Sequence, residues 1–518
     1  MPIDIDITVS PKEASDIKYF LPIAARRARV DDRNIACAKV IRRSIDARSK
    51  AVKMNLTVRI FMDADGKPDE VSFEYGDVAN AEPIVIVGAG PAGLFAALKL
   101  IENGLKPIII ERGKDVSARK YDIAQINRNG EINPDSNYAF GEGGAGAYSD
   151  GKLFTRSKKR GDYRKALEVL KYHGADESVL YDAHPHIGTD HLPRVIAAIR
   201  RTILASGGEI LFNTRVEDFI IKDNRIAGIT DNHDNRIESR AVILATGHSA
   251  RDIYETLYKS GIALESKPFA MGVRIEHPQQ LIDSIQYHVP ERGEYLPAAS
   301  YSLVAQIGER GVYSFCMCPG GFIVPAMTRH GESVVNGMSP SGRNSIYANS
   351  GIVTEVRESD FAHLVPEHGV LAGLRFQQQF EQSAFANGGG KQIVPAQRVA
   401  DFVARKRSKD LPRTSYHPGA VSSDMSSWMP SFISFSLRKG IESFGRKMRG
   451  FVTNEAMILG VESRTSSPVR IPRDPETLMH PQISGLYPCA EGAGYAGGII
   501  SAAIDGERCA QKIADSPH

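Results

Sequence analysis

Apolar and polar side chains alternate from Ile3 to Val9 (IDIDITV), the period of a strand with one buried face. Ser10-Pro11-Lys12-Glu13 follows at once. A capping serine, a proline at the first helical position and a glutamate three residues after the serine predict a helix start. Two more strand-like runs, 35–45 and 55–62, and a turn in DADGKPDE complete a small α/β unit over residues 1–80. The pattern then changes. Residues 84–87 are apolar without alternation, as in a parallel strand covered on both faces. A glycine-rich turn, an apolar helix from Pro91 and a short strand over 108–110 come next. Further on, GGEILFNTRVEDFIIKDNRIAGIT reads as strands joined at a Lys-Asp-Asn turn. In the middle of the chain, strand-like runs accompany helices near 371–385 and 432–444. NGGGKQ (387–392) between those helices is a flexible loop, either a connection or a gate.

The segment IVIVGAGPAGLFAALKLIENGLKPIIIER carries the first chemistry. Gly88, Gly90 and Gly93 form G-x-G-x-x-G directly after a strand: one glycine for a tight turn, one for close approach to a pyrophosphate, one for helix–strand packing. Pro91 and Ala92 open a helix whose amides point at the phosphates. The second strand ends in Glu111-Arg112, with the acid at the distance expected for a ribose contact. Strand, turn, helix, strand and acid in this order predict a dinucleotide site. Glu111 disfavours a 2′-phosphate, which argues against NADP here and leaves NAD or FAD.

Composition narrows the setting. A chain of 518 residues has room for several domains, and a net charge of +3 gives no global attraction to nucleic acid or acidic lipid. Five scattered cysteines suit a reduced compartment, the cytoplasm. The start, MPIDIDITVS, lacks the pattern of a signal peptide. The most apolar stretch, 84–100, is interrupted by Gly88, Gly90, Pro91 and Gly93, which argues against a membrane span. Between Lys18 and Lys53, eleven basic residues face three aspartates, a local excess of eight. That charge suits an RNA or an acidic protein as partner. The absence of interleaved aromatics favours a solvated or salt-bridged face instead.

Three later stretches resemble the flavoproteins with two dinucleotide-binding domains. RAVILATGHSARD is similar to their Ala-Thr-Gly segment beside the FAD pyrophosphate, through Thr246 and Gly247. ISGLYPCAEGAGYAGGIISAAIDGERCA resembles the strand, acid and glycine-rich helix start that close the flavin site. Glu491 falls where the family places an acid on the ribitol, Gly492 follows it, and Gly497, Gly498 and Ile499 open the helix. FGEGGAGAYSDGKL supplies Gly143, Gly144, Ala145, Ser149, Asp150, Gly151 and Lys152 for close approach to the ring system. Val216 lies where related flavoproteins contact adenine. Together with HPHIGTD, FCMCPGG, NGMS and RTSSPVRIPRD, these motifs closely resemble an uncharacterised bacterial family of FAD-dependent, or NAD(FAD)-utilising, dehydrogenases. That family is distantly related to flavoproteins of the glucose-inhibited division protein A type.

The resemblance implies an α/β flavoprotein fold. One fingerprint, with insertions between strands of one sheet, predicts a Rossmann-like FAD/NAD(P)-binding domain built from discontinuous segments, 83–265 and 450–518, and an inserted α+β substrate domain, 266–449, beside the small N-terminal α/β domain, 1–80. The implied activity is an FAD-dependent oxidoreductase passing a hydride equivalent between flavin N5 and a substrate, with NADH or NADPH as a transient donor. A flavin-dependent RNA-modifying protein and an FAD-binding sensor or scaffold are the alternatives. The sequence contains one glycine fingerprint and no C-x-x-C, so a disulfide-reductase plan with a second nucleotide domain does not fit.

FCMCPGG (315–321) leaves a choice open. Zinc needs about four ligands. Cys316 and Cys318 offer two, and the nearest histidines, His184, His186 and His191, lie far off in sequence, so no metal is expected. On a regular strand the two cysteines share a face, as a packed pair, a substrate-pocket lining or a dithiol beside the flavin. His186 and His417 are candidate general acids, and Arg343 and Arg470 candidate binders of an acidic substrate. All four equally suit ordinary structural hydrogen bonds.

Overall fold

A computed structural model of the chain describes residues 1–49, 51–63, 71–154 and 161–516. The turn expected in DADGKPDE falls mostly outside them. In the N-terminal unit, Lys53–Met62 is the central strand, antiparallel to Ile3–Val9 on one side and Ile35–Asp46 on the other. Ile7, Val9, Leu56, Val58 and Ile60 meet Phe20 and Ala24 of the helix Ile17–Ala28 in one core. The alternation therefore does what its period requires. The helix start at Pro11 is a capping box: Glu13 N donates to Ser10 Oγ at 3.2 Å, and Ser10 N donates to Glu13 Oε2 at 2.8 Å.

Arg43 of the edge strand ties this unit to the segment at Tyr181–Ala183, and Ala47 and Val52 pack against the core of the central sheet described below. Arg43 N donates to Tyr181 O at 2.8 Å, Ala183 N donates to Arg43 O at 2.9 Å, and the Arg43 guanidinium forks onto Asp182 at 2.6 and 2.9 Å. Others of the basic cluster pair locally: Lys18 with Asp16, Arg33 with Asp31, Arg48 with Asp46.

The second layer is an all-parallel sheet in the order Leu486–Pro488, Val242–Leu244, Pro83–Val87, Lys106–Ile110, Glu209–Leu211. Pro83–Val87 and Val242–Leu244 are neighbours, with the chain leaving to opposite sides. That is a switch point, where α/β sheets bind ligands at the carboxyl ends of strands. The helices Pro91–Glu102 and Ile499–Asp515 pack against each other so tightly that a Cβ at Gly506 would lie 2.0 Å from Ala92 O. The expected Lys-Asp-Asn turn joins Val216–Lys222 to Arg225–Asp231, with Asp223 and Asn224 both left-handed (φ 50° and 58°).

The middle of the chain forms a seven-stranded sheet. Its order is Val304–Ile307, Arg310–Cys318, Tyr347–Val356, Phe269–Pro278, Met457–Glu462, Val394–Arg398, Ala420–Ser422. The helices Ala372–Ala386 and Ser431–Lys447 contribute Phe376, Phe380, Leu437, Ile441 and Phe444 to its core. The division expected at 450 is corrected here. Met457–Glu462 pairs with Phe269–Pro278 and Val394–Arg398, and every residue of it is buried inside this sheet. The chain returns to the parallel sheet only at Leu486–Pro488. A short, mostly apolar strand reads alike in either sheet, so its pattern did not reveal which one it joins. The NGGGKQ loop closes a one-residue-pair bridge, Gly390 to Ile393, and borders none of the cavity described below. Among the described residues, no helix is long and apolar enough to cross a membrane.

Candidate functional site

Four loops converge at the switch point, and glycine makes each approach possible. Gly88 (φ 106°) donates its N–H to Ile110 O at 2.8 Å, and a Cβ there would lie 2.5 Å from Ala245 O. A Cβ at Gly93 would lie 1.9 Å from Gly88 O, and one at Gly492 2.7 Å from Gly247 O. Gly143 N donates to Ala89 O at 2.8 Å, which lays Gly144 against Gly90. The 3₁₀ turn Gly144–Gly146, which includes Ala145, thus sits over the Gly90–Pro91–Ala92 start of the first helix. No side chain caps that helix start, so its first amides are free for a ligand.

Glu111 is buried and holds the loops together. Its Oε2 accepts from Ala89 N at 2.8 Å, and its Oε1 accepts from Gly113 N at 2.8 Å and Gly141 N at 3.0 Å. Thr214 N donates to Glu111 O at 3.0 Å, bringing the segment that leads to Val216 alongside. Arg112 points elsewhere: it pairs with Asp135 at 2.7 Å and Asp252 at 3.0 Å, and lies 4.2 Å over the Phe140 ring. Arg119, absent from the sequence-based candidates, is fully buried and donates Nη1 to the carbonyls of Gly141, Glu142 and Gly144 at 3.2, 2.9 and 2.9 Å. It lies on a helix of low amphipathic contrast, so periodicity gave no signal for it.

Glu111→Ala is expected to weaken FAD retention by at least about tenfold, since charge-assisted bonds to three amides vanish together. Flavin released on dilution of the purified protein checks this; unchanged retention would remove Glu111 from the cofactor site.

At the other end, Glu491 Oε1 accepts from Gly498 N at 2.8 Å and its Oε2 lies 3.5 Å from His248 Nδ1. Burial raises the Glu491 carboxyl, and His248 with the Gly498 amide outweighs this and holds it down. Gly497 and Gly498 face open space at the uncapped start of Ile499–Asp515. Across that opening lies a cavity of about 930 Å³, walled by Lys152, Cys316 and Arg343 on one side and by Tyr495, Gly497 and Ser501 on the other. Its size is in the range of cofactor and substrate clefts. A glycine cradle, two helix starts without side-chain caps and this chamber suit an FAD.

Behind the chamber, Asp150 is buried between Arg343 Nη2 at 2.6 Å and Lys152 Nζ at 3.1 Å. Gly151 is left-handed (φ 67°), and its N–H donates to Ser149 Oγ at 3.0 Å. Lys152 Nζ in turn lies 4.0 Å from Cys316 Sγ and 3.7 Å from Cys318 Sγ. A bulge interrupts the regular strand on which the two cysteines were expected to share a face. The pairing of Arg310–Cys318 with Tyr347–Val356 shifts between Phe315 and Cys318, and Cys316 is left-handed (φ 47°). Cys316 therefore reaches the chamber wall while Cys318 is completely buried. Arg274, also missed in the sequence, donates Nη2 to Cys316 O at 2.7 Å and lies 3.5 Å from Cys318 Sγ.

His186 stands behind Lys152, hydrogen-bonded to Ser341 O at 3.1 Å; burial, then the Arg343 charge, lower its pKa. The general-acid expectation for His417 is corrected: it is exposed, hydrogen-bonds Asn127 O at 3.0 Å and borders no part of the chamber. Arg470 pairs with Glu265 at 3.5 Å. Cys489, Asp505 and Cys509 bring their ligand atoms within 4.8 Å of one another. Asp505 is already held by Arg473 at 2.8 and 2.9 Å, which leaves a cation no free carboxylate.

Residues 268–465 match a family described as FAD-dependent protein, C-terminal domain-like. Residues 164–331 match FAD dependent oxidoreductase, 83–125 match FAD binding domain, and 1–61 match a domain of unknown function. An uncharacterised protein of Clostridium beijerinckii is 40% identical over 96% of this chain and 96% of its own. A thiamine thiazole synthase of Archaeoglobus fulgidus is 25% identical over 53% of this chain and 88% of its own. Among solved structures, a geranylgeranyl bacteriochlorophyll reductase-like protein of Thermoplasma acidophilum is 13% identical, covering 84% of this chain and 79% of that one at a TM-score of 0.36.

Proposed function

We propose a reaction site on the premise that this chain belongs to the family of the uncharacterised Clostridium beijerinckii protein and is an FAD-dependent oxidoreductase. The reaction takes place in the chamber between Lys152 and Gly497. One observation carries this reading. The chamber is where the helix start at Gly497–Ile499 meets Lys152 and Arg343 beside Cys316, with Cys318 behind it. Bound FAD supplies two-electron exchange at its ring system.

The chain's own residues do the rest. The amides at the start of Ile499–Asp515 present positive dipole ends, which favour negative charge on whatever lies against them. Glu491 fixes the Gly498 amide in place. Lys152 contributes a fixed positive charge. Its ammonium is favoured because Cys316, Cys318 and Asp150 outweigh the burial that opposes it. Phe154 and His184, with ring centres 5.1 Å apart, cover one side of the opening and limit water.

The substrate is a small molecule that reaches this wall. With one glycine fingerprint in the chain, NADH or NADPH acts as a visiting donor at the mouth of the chamber. Kinship with the glucose-inhibited division protein A type and a cytoplasmic setting belong to the same reading. Both rest on the motifs from Gly143 to Lys152 and Glu491 to Ile499 and on the sparse cysteines.

The test is the visible absorption spectrum of the purified protein, heat release and identification of the chromophore, then anaerobic titration with NADH and NADPH. A flavin band, released FAD and bleaching by one nicotinamide are expected. A colourless protein that takes up no added FAD would overturn the assignment. A yellow protein bleached by neither nicotinamide would remove the visiting donor.

A further inference from the structure

We propose that Cys316 and Cys318 are a redox-active dithiol: Cys316 Sγ, at the chamber wall, exchanges with a small disulfide, and Cys318 resolves the adduct. This rests on the chamber being the site of reaction.

The geometry separates the roles. Cys316 is partly exposed to the chamber and Cys318 lies directly behind it with no exposure. The strand is bulged here, with Cys316 in a left-handed conformation that side chains avoid, and both sulfurs stay within 4.0 Å of Lys152 Nζ. Two cations converge on the sulfurs from separate elements. Lys152 approaches within 4.0 Å of Cys316 and 3.7 Å of Cys318, and Arg274 within 3.5 Å of Cys318. Each has one carboxylate, Asp150 at 3.1 Å for Lys152 and Glu462 at 2.8 Å for Arg274. Arg343, His186 and Tyr301 complete the ionisable surroundings. Cations held beside a thiol favour its thiolate. The Cys316 thiol is accordingly lowered well below its ordinary range. A hydrogen bond from Cys318 is the first cause, burial opposes it, and Lys152 and Arg274 add to it. Cys318 moves the opposite way and keeps the proton.

The chemistry balances. The Cys316 thiolate attacks one sulfur of R–S–S–R; a Cys316–S–S–R bond forms, the substrate S–S bond breaks, and one thiolate RS⁻ leaves. Cys318 gives its proton to that leaving thiolate and attacks Cys316 Sγ. The Cys316–Cys318 bond forms, the mixed disulfide breaks, and a second RS⁻ departs and takes a proton from solvent. The pair loses two electrons and the substrate gains them. A reduced small dithiol reverses the change.

The experiment uses flavin-containing full-length protein, cystamine as the disulfide, and peptide mass spectrometry. Wild type is expected to lose two thiols and show a Cys316–Cys318 cross-link that dithiothreitol removes. Cys318→Ser is expected to stop at a cysteamine adduct on Cys316, and Cys316→Ser to leave Cys318 unmodified. Iodoacetamide at pH 6 should alkylate Cys316 at least about tenfold faster than Cys37 in the same protein. Lys152→Met should erase most of that difference and move the rate–pH midpoint upward, while Lys152→Arg should keep it. A yellow, folded protein whose Cys316 takes neither reagent would overturn the dithiol and leave the flavin assignment standing. A colourless protein that still cross-links would overturn the flavin assignment alone.

Discussion

Gly93→Ala is expected to purify without flavin and to unfold at a clearly lower denaturant concentration than wild type. The added methyl would lie 1.9 Å from Gly88 O, 3.1 Å from Gly88 C and 3.3 Å from Ile86 Cγ2. The two nearest are backbone atoms of Gly88 in the turn, which no side-chain rotation can move aside. The helix Pro91–Glu102 must lift instead. Its opposite face is pinned as closely, since a Cβ at Gly506 would meet Ala92 O at 2.0 Å. Overpacking of this kind costs about 1–3 kcal/mol, and more where neither side yields. The lift also moves the free amides of the helix start away from the pyrophosphate. FAD affinity should therefore fall by more than the stability loss alone explains, by about a hundredfold or more. The flavin-to-protein absorbance ratio and the urea midpoint measure both effects. Gly76→Ala is the control, because nothing lies within 4 Å of its added carbon. Full flavin content in Gly93→Ala would show that the helix need not touch the turn.

The second large effect lies in a buried ion cluster. Glu381→Ala is expected to destabilise the fold by about 3–5 kcal/mol, the cost of leaving buried charge without its partner. Glu381 Oε1 accepts from Arg251 Nη2 at 2.8 Å, Ser463 Oγ at 2.7 Å and Arg464 Nε at 3.1 Å, and Oε2 accepts from Arg464 Nη2 at 3.1 Å. Without it, both guanidiniums share the single carboxylate of Glu332, 3.3 and 3.2 Å away. A urea midpoint close to wild type would mean that water enters and solvates the arginines. Arg251→Met with Glu381→Met should cost less than the two single changes added together, because the charges leave as a pair.

Acid should mimic the substitution. Burial raises the Glu381 carboxyl, but Arg251 and Arg464 outweigh it and hold it at about 2. Its contribution is fully present above the ordinary glutamate range and is lost as pH falls through about 4 toward 2. Glu332, raised by burial and by Glu381, takes up its proton first.

The two halves of this molecule differ in how far the sequence discloses them. The capping box at Ser10, the turn at Asp223–Asn224 and the Gly88–Gly93 fingerprint are written in neighbouring residues, where local geometry dictates residue type. Their structures match the expectations closely. Lys152 beside Cys316, and Arg251 beside Glu332, Glu381 and Arg464, join residues far apart in the chain. No periodicity carries such meetings, because each side chain is ordinary in its own stretch. The bulge at Cys316 shows a third kind of limit. An extra residue in one strand is fixed by its partner's register, and FCMC alone does not encode that partner. The strand Met457–Glu462 fails for the same reason: its residues say buried, and only the sheet says where.

The backbone exchange between Arg43 and the Tyr181–Ala183 segment reaches further than an anchoring contact between units. The very next residues, His184 and Pro185, form part of the chamber wall. The N-terminal unit, whose family match names no function, thus holds the segment that leads into that wall. Loosening it, by Arg43→Ala or by loss of residues 1–62, would slacken the entrance without altering any residue that lines the chamber.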